Sequence, residues 1–528
     1  MDKSEYFEKI QRGDLIMEHY GVLSLIPPLV AIIIAILSKN VIISLFAGSF
    51  LGVLVLSSFS PITAVKSLIG DYFFVQLTDS YNAGVLVLLM FIGGFIALIE
   101  KSGGAQAFAG KVTKLINTKT KAQMSAWFGG ILIFFSDLGT PLIVGPIFEP
   151  IFDKLKISRE KLAWIIDSTA SPIAVLVPFI GWGVYVMGLI QKEFEALSII
   201  QSDFTAFVKA IPFQIYPILA VTMVPIIAFS KLDFSAMLKA EQRVENTGKL
   251  YWDSSNPQRK SEKISEYEAS NSKASLVIAP LVVLFITLFS ILIPLGFPMK
   301  PVGGSDFRIA LTTAYLFAAI VLIGLMVYYK TKTFNESFSI YINGMQKMVY
   351  VSITLVLAWS LGATIKNLGT ANYIIQLLSG NVPVALIPAI LFILGACVSF
   401  ATGSSWGTFA IMMPLAIPMA VSLDASIYVC IGAVLSGGLF GDHCSPISDT
   451  TILSSTGAGC DLVDHVKTQL PYALLNGGIT LVGFLITGVI NSEISLVISL
   501  VILLISVFFL SKSNKNNLKV NNIESNKN

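Results

Sequence analysis

Apolar runs of roughly 18 residues or more recur along this 528-residue chain, and polar residues interrupt several of them in mid-run. A run of that length spans the hydrocarbon core of a bilayer as a helix. Irregular backbone is tolerated at that depth only where it is buried in protein or lines a cavity. The two facts together ask for a helical membrane protein with polar breaks packed inside it. Composition agrees: 13% of residues are charged, against about 25% in soluble domains. The expected fold class is an all-α polytopic protein, multi-pass in the cell membrane, with the lipid bilayer as its surroundings. The net charge of +3 points to no nucleic-acid partner. The first twenty residues are polar and the apolar run from Gly21 lacks a cleavage pattern, so that run reads as a retained helix. Cys397, Cys430, Cys444 and Cys460 show no CxxC spacing. Neither a disulfide, a transition-metal site nor a cofactor is expected.

Spans are read at 21–38, 41–59 and 83–100, followed by two short segments at 122–135 and 141–152. An interrupted segment at 162–190 and a span at 205–229 complete the first half. The second half gives 274–295, 307–329 and 348–365, two segments at 383–400 and 406–420, and an interrupted one at 426–456. Spans at 471–490 and 494–511 follow. The expected domains are a polar segment 1–20, a first membrane repeat 21–229, and a polar linker 230–273, read as a surface loop or partly disordered. A second repeat 274–490, an extra helix 491–511 and a polar tail 512–528 complete the division.

The halves resemble each other. Gly139 to Pro150 and Gly407 to Pro418 both read G-T-x5-P-x3-P, Ser171-Pro172-Ile173 is matched by Ser445-Pro446-Ile447, and Gly103–Gln106 parallels Gly369–Asn372. Lys and Arg gather on the cytoplasmic side of membrane proteins. Loop 101–121 holds Lys101, Lys111, Lys114, Lys119 and Lys121, and loop 153–161 holds Lys154, Lys156, Arg159 and Lys161. Their counterparts 366–382 and 421–426 hold Lys366 alone and none. Matched loops therefore face opposite sides, and the repeat is inverted. The linker and the tail fall on the cytoplasmic side by the same criterion.

The segments 122–135 and 141–152 lie between two cytoplasmic loops, and each makes a helix of about 20 Å, too short to cross comfortably. A re-entrant hairpin accounts for both facts, with its tip at Ser136, Asp137, Gly139 and Thr140. The mirror hairpin has its tip at Thr402, Gly403, Ser404, Ser405 and Thr408. Two islands break the long segments: Asp167, Ser168, Thr169 and Ser171 before and around Pro172, and Asp442, His443, Ser445, Ser448, Asp449 and Thr450 around Pro446. Proline removes a backbone donor and ends a helix. Each ionised group at the centre of a span costs about 2.5–3.5 kcal/mol on insertion scales.

Two broken helices and two hairpin tips related by an inverted repeat point to a secondary-transporter site near the midplane. Sodium takes oxygen ligands: freed carbonyls, hydroxyls, and a carboxylate for charge balance. A carboxylate that loses its proton as the cation arrives couples Na⁺ to H⁺. The expected ion- and proton-binding set is Asp137, Thr140, Asp167, Ser168, Thr169, Ser171, Asp442, His443, Ser445, Ser448, Asp449 and Thr450. The tips Ser136, Gly139, Thr402, Gly403, Ser404, Ser405 and Thr408 are expected beside a substrate. Competing roles exist for each. An Asp beside a break caps a half-helix, hydroxyls bond their own helix backbone, and His443 serves as a structural histidine. His465 falls in a loop between predicted segments and is not assigned to the site. Trp182 and Trp406 read as packing or anchoring residues, and Gly48 and Gly52 as a helix-packing or dimer contact.

The stretches GGLFGDHCSPISDTT, FFSDLGTPLIVGP and DSTASPI resemble the NhaC family of sodium/proton antiporters over roughly residues 20–490. The SPxSDTT core carries most of the specificity. The resemblance implies a sodium-coupled, elevator-type secondary transporter and a homodimer. The expected function is Na⁺/H⁺ antiport; the alternative is a Na⁺-coupled carrier of an amino acid or small organic acid. There is no G-x-x-x-x-G-K-[ST], which argues against an ATP-driven pump. An intramembrane aspartyl protease built on Asp167 and Asp442 is disfavoured, because Leu-Phe-Gly precedes Asp442 where such enzymes carry Gly-x-Gly. Broken midplane helices also suit alternating access better than a passive channel.

Overall fold

The computed structural model describes residues 19–38, 40–104, 107, 116–134, 136–256, 272–297, 304–370, 372–373 and 383–525. Helix makes up 81% of the structure, and no strand occurs among the described residues. Eight helices among the described residues are long and apolar enough to cross a membrane, or up to 10 if each of two bent pairs counts as one span. Lys111, Lys114 and most of the linker's charged centre (257–271) lie outside the described residues.

Helices α1 (Ile26–Ser38) and α2 (Val41–Leu56) form a packed pair. A Cβ on Gly48 would meet the Pro27 carbonyl oxygen at 2.8 Å, and one on Gly52 would meet Thr364 Cγ2 at 2.2 Å. These glycines therefore serve packing within the chain, where close helix approach replaces a hydrophobic driving force. Helix α3 (Ser80–Lys101) starts at Asp79, whose side chain accepts from the Asn82 amide. The first hairpin is α4 (Lys119–Leu132) and α5 (Gly139–Lys154). Next come α6 (Arg159–Asp167), an irregular stretch to Ile180 containing one turn of helix at Ser171–Ala174, and α7 (Gly181–Ala196). Pro172 and Pro178 explain why this interruption is long. The span expected at 205–229 is bent by 51° between Asp203–Phe213 and α8 (Ile215–Ser230).

The linker contains α9 (Ser235–Thr247), and the second half opens with α10 (Ser275–Leu292), α11 (Gly304–Tyr328), α12 (Phe334–Lys347) and α13 (Val349–Asn367). Helix α12 begins with a capping box between Thr333 and Glu336. The second hairpin is α14 (Ile387–Thr402) and α15 (Ser405–Ser422), followed by α16 (Ile427–Cys444), α17 (Asp449–Gly457), α18 (Leu462–Ile490) and α19 (Ile494–Ser525). Helix α5 carries internal prolines at 146 and 150, and α15 at 414 and 418. Gly437 and Gly441 let α16 lie on α14: a Cβ there would meet Phe392 O at 2.4 Å and Ala396 O at 2.3 Å.

The described part of the linker corrects the reading of a surface loop. Helix α9 is docked by buried charges. Lys161 Nζ lies 2.5 Å from Asp233 Oδ2, and Arg243 pairs with both carboxylate oxygens of Glu160 at 2.6 and 2.9 Å. Glu241 Oε1 accepts from the Ser158 amide at 2.8 Å and its hydroxyl at 2.7 Å. The charges that read as orientation signals at 153–161 are thus also the docking surface for α9.

Hairpin one and α17 meet through glycines. A Cβ on Gly145 would lie 2.2 Å from the Gly457 carbonyl oxygen. Backbone cannot swing aside as a side chain does. Gly145→Val is therefore expected to lower the melting temperature by several degrees and to reduce monodisperse yield. Gly324→Val, with open space around it, is the control that should change neither.

Candidate functional site

Asp167 is the last residue of α6, where the helix gives way to the Ser168–Ile180 interruption. Its side chain is completely buried. Its partners come from the other half of the chain. Thr451 Oγ1 donates to Oδ2 at 3.3 Å, Ser454 Oγ to Oδ1 at 3.2 Å, and Gln469 Nε2 to Oδ2 at 2.6 Å. His465 Nε2 lies 3.5 Å from Oδ2. Gln469 Nε2 also donates to the His443 carbonyl oxygen at 3.0 Å, so one amide ties the first broken helix to the second.

Asp442 sits in the last turn of α16, 4% exposed. Thr450 Oγ1 donates to its Oδ2 at 2.9 Å, and the Ser448 and Thr450 hydroxyls are 3.0 Å apart. The 445–448 break between α16 and α17 folds Thr450 back onto Asp442, as an N-terminal hydroxyl commonly turns to a nearby acceptor. Asp442 lies within Coulombic range of Asp167 and Asp137. His443 Nδ1 is 3.2 Å from the Tyr216 hydroxyl of α8. Several buried polar atoms in this group have no hydrogen-bond partner among the described residues: Ser171 Oγ, His443 Nε2 and Gln469 Oε1. Buried polar atoms of this kind are rare and call for a ligand or water.

The residues expected from sequence divide into those the fold gathers and those it does not. Asp167, Asp442, His443, Ser448 and Thr450 form one buried group, with Ser171 buried beside the first break. Ser168 is buried there as well. Asp137, half-buried at the tip of hairpin one, lies within reach of the Trp182 indole. Ser136 donates to Glu100 at 3.0 Å and accepts from the Gly139 amide at 2.8 Å, which holds that tip closed. Thr140, Thr169, Thr402 and Thr408 donate to carbonyls four residues back on their own chain, at 2.8 to 2.9 Å. Ser404 caps α15 through the Gly407 amide, Ser405 donates to Gly438 O, and Ser445 donates to Phe400 O. Gly403 has φ +64°, and a Cβ would meet Ile447 O at 2.7 Å; the tip of hairpin two therefore touches the second break.

Asp449 departs from the rest. It is exposed, at the first position of α17, within Coulombic range of Tyr350 on α13. Its side chain is not part of the buried group. His465 is the converse: it is fully buried in α18, not in a loop. Thr451, Ser454 and Gln469 were not singled out from sequence, and His465 was left out of the site as a loop residue. The signal was there in part, because His465 and Gln469 stand four apart on one helix face. Trp182 and Trp406 pack together at 4.9 Å between ring centroids, the packing role expected of them.

Broken helices and buried carboxylates inside a multi-pass bundle are the arrangement of a secondary transporter rather than an enzyme. The family model described as the Na⁺/H⁺ antiporter family matches residues 12–180 and 173–489, and the chain belongs to that family. An uncharacterized protein of Haemophilus influenzae is 32% identical over 509 residues, 93% of this chain and 96% of that one. A malate-2H⁺/Na⁺-lactate antiporter of Bacillus subtilis is 30% identical over 209 residues, 38% of this chain and 43% of that one. The crystal structure of the YdaH transporter of Alcanivorax borkumensis aligns with TM-score 0.55 at 16% identity, over 80% of this chain and 88% of that one. The fold is therefore shared with a solved transporter, and the cell membrane is the expected location.

Proposed function

We propose that this chain exchanges Na⁺ for H⁺ by alternating access through the buried group around Asp167 and Asp442. The observation that carries the reading is a buried carboxylate at the end of each broken helix, with the two breaks tied together by Gln469, whose amide donates to Asp167 and to the carbonyl oxygen of His443, the residue after Asp442. Asp167, Thr451, Ser454, the unpartnered Gln469 Oε1 and carbonyls freed along 168–180 supply the oxygen donors a hard cation takes. A buried carboxylate is costly when ionised without a counter-charge. A proton satisfies the group in one state and Na⁺ in the other, and that competition is the coupling. In this proposal 21–229 and 274–490 are inverted repeats, and the hairpins and broken helices move as an elevator within a homodimer. The energy comes from the ion gradients, about 2.3 kcal/mol per charge per 100 mV.

A second reading is kept for one observation. Asp449 is exposed on the first turn of α17, the turn whose Thr450 reaches Asp442, and its carboxylate can take the ammonium group of an amino acid beside the buried group. A relative named as a malate/lactate exchanger supports that alternative, a Na⁺-coupled carrier.

One experiment separates the two. Purified protein in sealed liposomes with an internal pH dye is given an inward Na⁺ gradient, alone and then with amino acids and hydroxy-acids. Antiport predicts proton efflux without solute, lost in Asp442→Asn and kept in Asp449→Asn. A response that waits for one solute and fails in Asp449→Asn would establish the carrier instead.

A further inference from the structure

A cavity lined by charged and apolar residues lies away from this group, between the ends of α7 and α13 and the turn of helix at Phe74–Thr78. Its volume is about 230 Å³. The charge bias of the loops assigns this end to the outside of the membrane. Glu193 on α7 faces into it and is 5% exposed. About 18 Å of helix separates Glu193 from the break at Gly181, so the cavity is distinct from the Asp167 group.

The surroundings are built for that carboxylate but leave it unpaired. A Cβ on Gly362 would lie 2.6 Å from Glu193 Oε1, so glycine at this position makes the room the carboxylate occupies. Among the described residues, no side chain or backbone amide donates to it, and the opposite charge acting on it is the more distant Lys366. Lys192 is committed elsewhere, 3.2 Å from Asp79 and 3.0 Å from Glu195. The Trp359 indole N–H, on the cavity wall, is committed to Gly188 O at 3.1 Å. A buried ionised carboxylate with no donor is costly, and the cost falls away when a cation joins it. The charged groups facing the cavity are Asp79, Glu193 and Glu195 against Lys192 and Lys366. With Glu193 ionised the set carries one net negative charge and with Glu193 protonated it is neutral, so a single cation that enters takes the place of the Glu193 proton.

We infer that this cavity is an outer binding site for a monovalent cation, with Glu193 as its ligand. The cavity is larger than a bare ion, so the occupant is Na⁺ with part of its water shell or a small primary ammonium. Both present the same chemistry to Glu193, and the test distinguishes them.

Full-length purified protein is treated with a hydrophobic carbodiimide in N-methyl-D-glucamine buffer, and labelling at Glu193 is read by peptide mass spectrometry. The expected result is labelling that falls at least fivefold with NaCl or with methylammonium chloride, the effective salt naming the occupant. The same protection is expected in Asp167→Asn, because the cavity does not need the midplane group. Labelling that neither salt changes, or no labelling at all, would overturn the inference. So would protection that disappears in Asp167→Asn, because the cation would then act from the midplane.

Discussion

Asp167→Asn is expected to abolish Na⁺-driven proton movement, by at least 100-fold, in protein that still elutes as a single species. The substitution keeps shape and volume and removes one charge. In the native structure that carboxylate takes donors from Thr451, Ser454 and Gln469 and has His465 at 3.5 Å. A neutral amide cannot balance a bound cation or give up a proton in exchange for it. A 100-fold loss corresponds to about 3 kcal/mol, which is in the range for stripping a charge from a desolvated polar site. Gln469→Ala is expected to be milder, about 10-fold, since it removes one hydrogen bond and leaves the charge. Both are read as initial rates of the internal pH dye under a fixed Na⁺ gradient. Retention of wild-type rate in Asp167→Asn would remove the buried Asp167 group from the transport cycle.

The parts of this architecture that were legible in the sequence are those written in local pattern. The two short segments before and after Asp137 appear as α4 and α5, and the stretch around Pro446 appears as the break between α16 and α17. Proline and hydroxyl clusters inside apolar runs have few structural outlets, so they report breaks reliably. What was not legible depends on which elements meet. Asp449 and Asp442 look alike in sequence, each an acid beside a break. The direction of the first turn of α17 leaves Asp449 exposed and turns Thr450 toward Asp442. Gln469 and His465 lie in the ordinary polar entry of a span, and only the packing of α18 on α6 brings them to Asp167. The threonines show the opposite error. Thr140, Thr169, Thr402 and Thr408 sit at the expected places, yet their hydroxyls are used by their own backbone. Glu193 was passed over because a glutamate near the end of a span reads as an interfacial residue. Its burial comes from Gly362 on another helix, and no local pattern records that.

Lys161→Met is expected to destabilise the folded protein by about 3–5 kcal/mol, the cost of leaving one member of a buried ion pair alone. Lys161 is 2% exposed, its ammonium is 2.5 Å from Asp233, and Asp233 also accepts from the Tyr472 hydroxyl at 2.8 Å. Removing the lysine leaves Asp233 buried beside Glu241, with a tyrosine as its remaining partner. The double variant Lys161→Met with Asp233→Leu removes both charges and is expected to recover much of the loss, since paired removal is often near neutral. The measurement is the midpoint of thermal unfolding in detergent for the wild type, both single variants and the double. Additive losses would mean that the pair does not act as a unit. The expected non-additivity would show that α9 is fastened to the foot of α6, nine residues long and ending at Asp167. The segment between the halves then does more than join them, because the helix it grips is the one that carries Asp167.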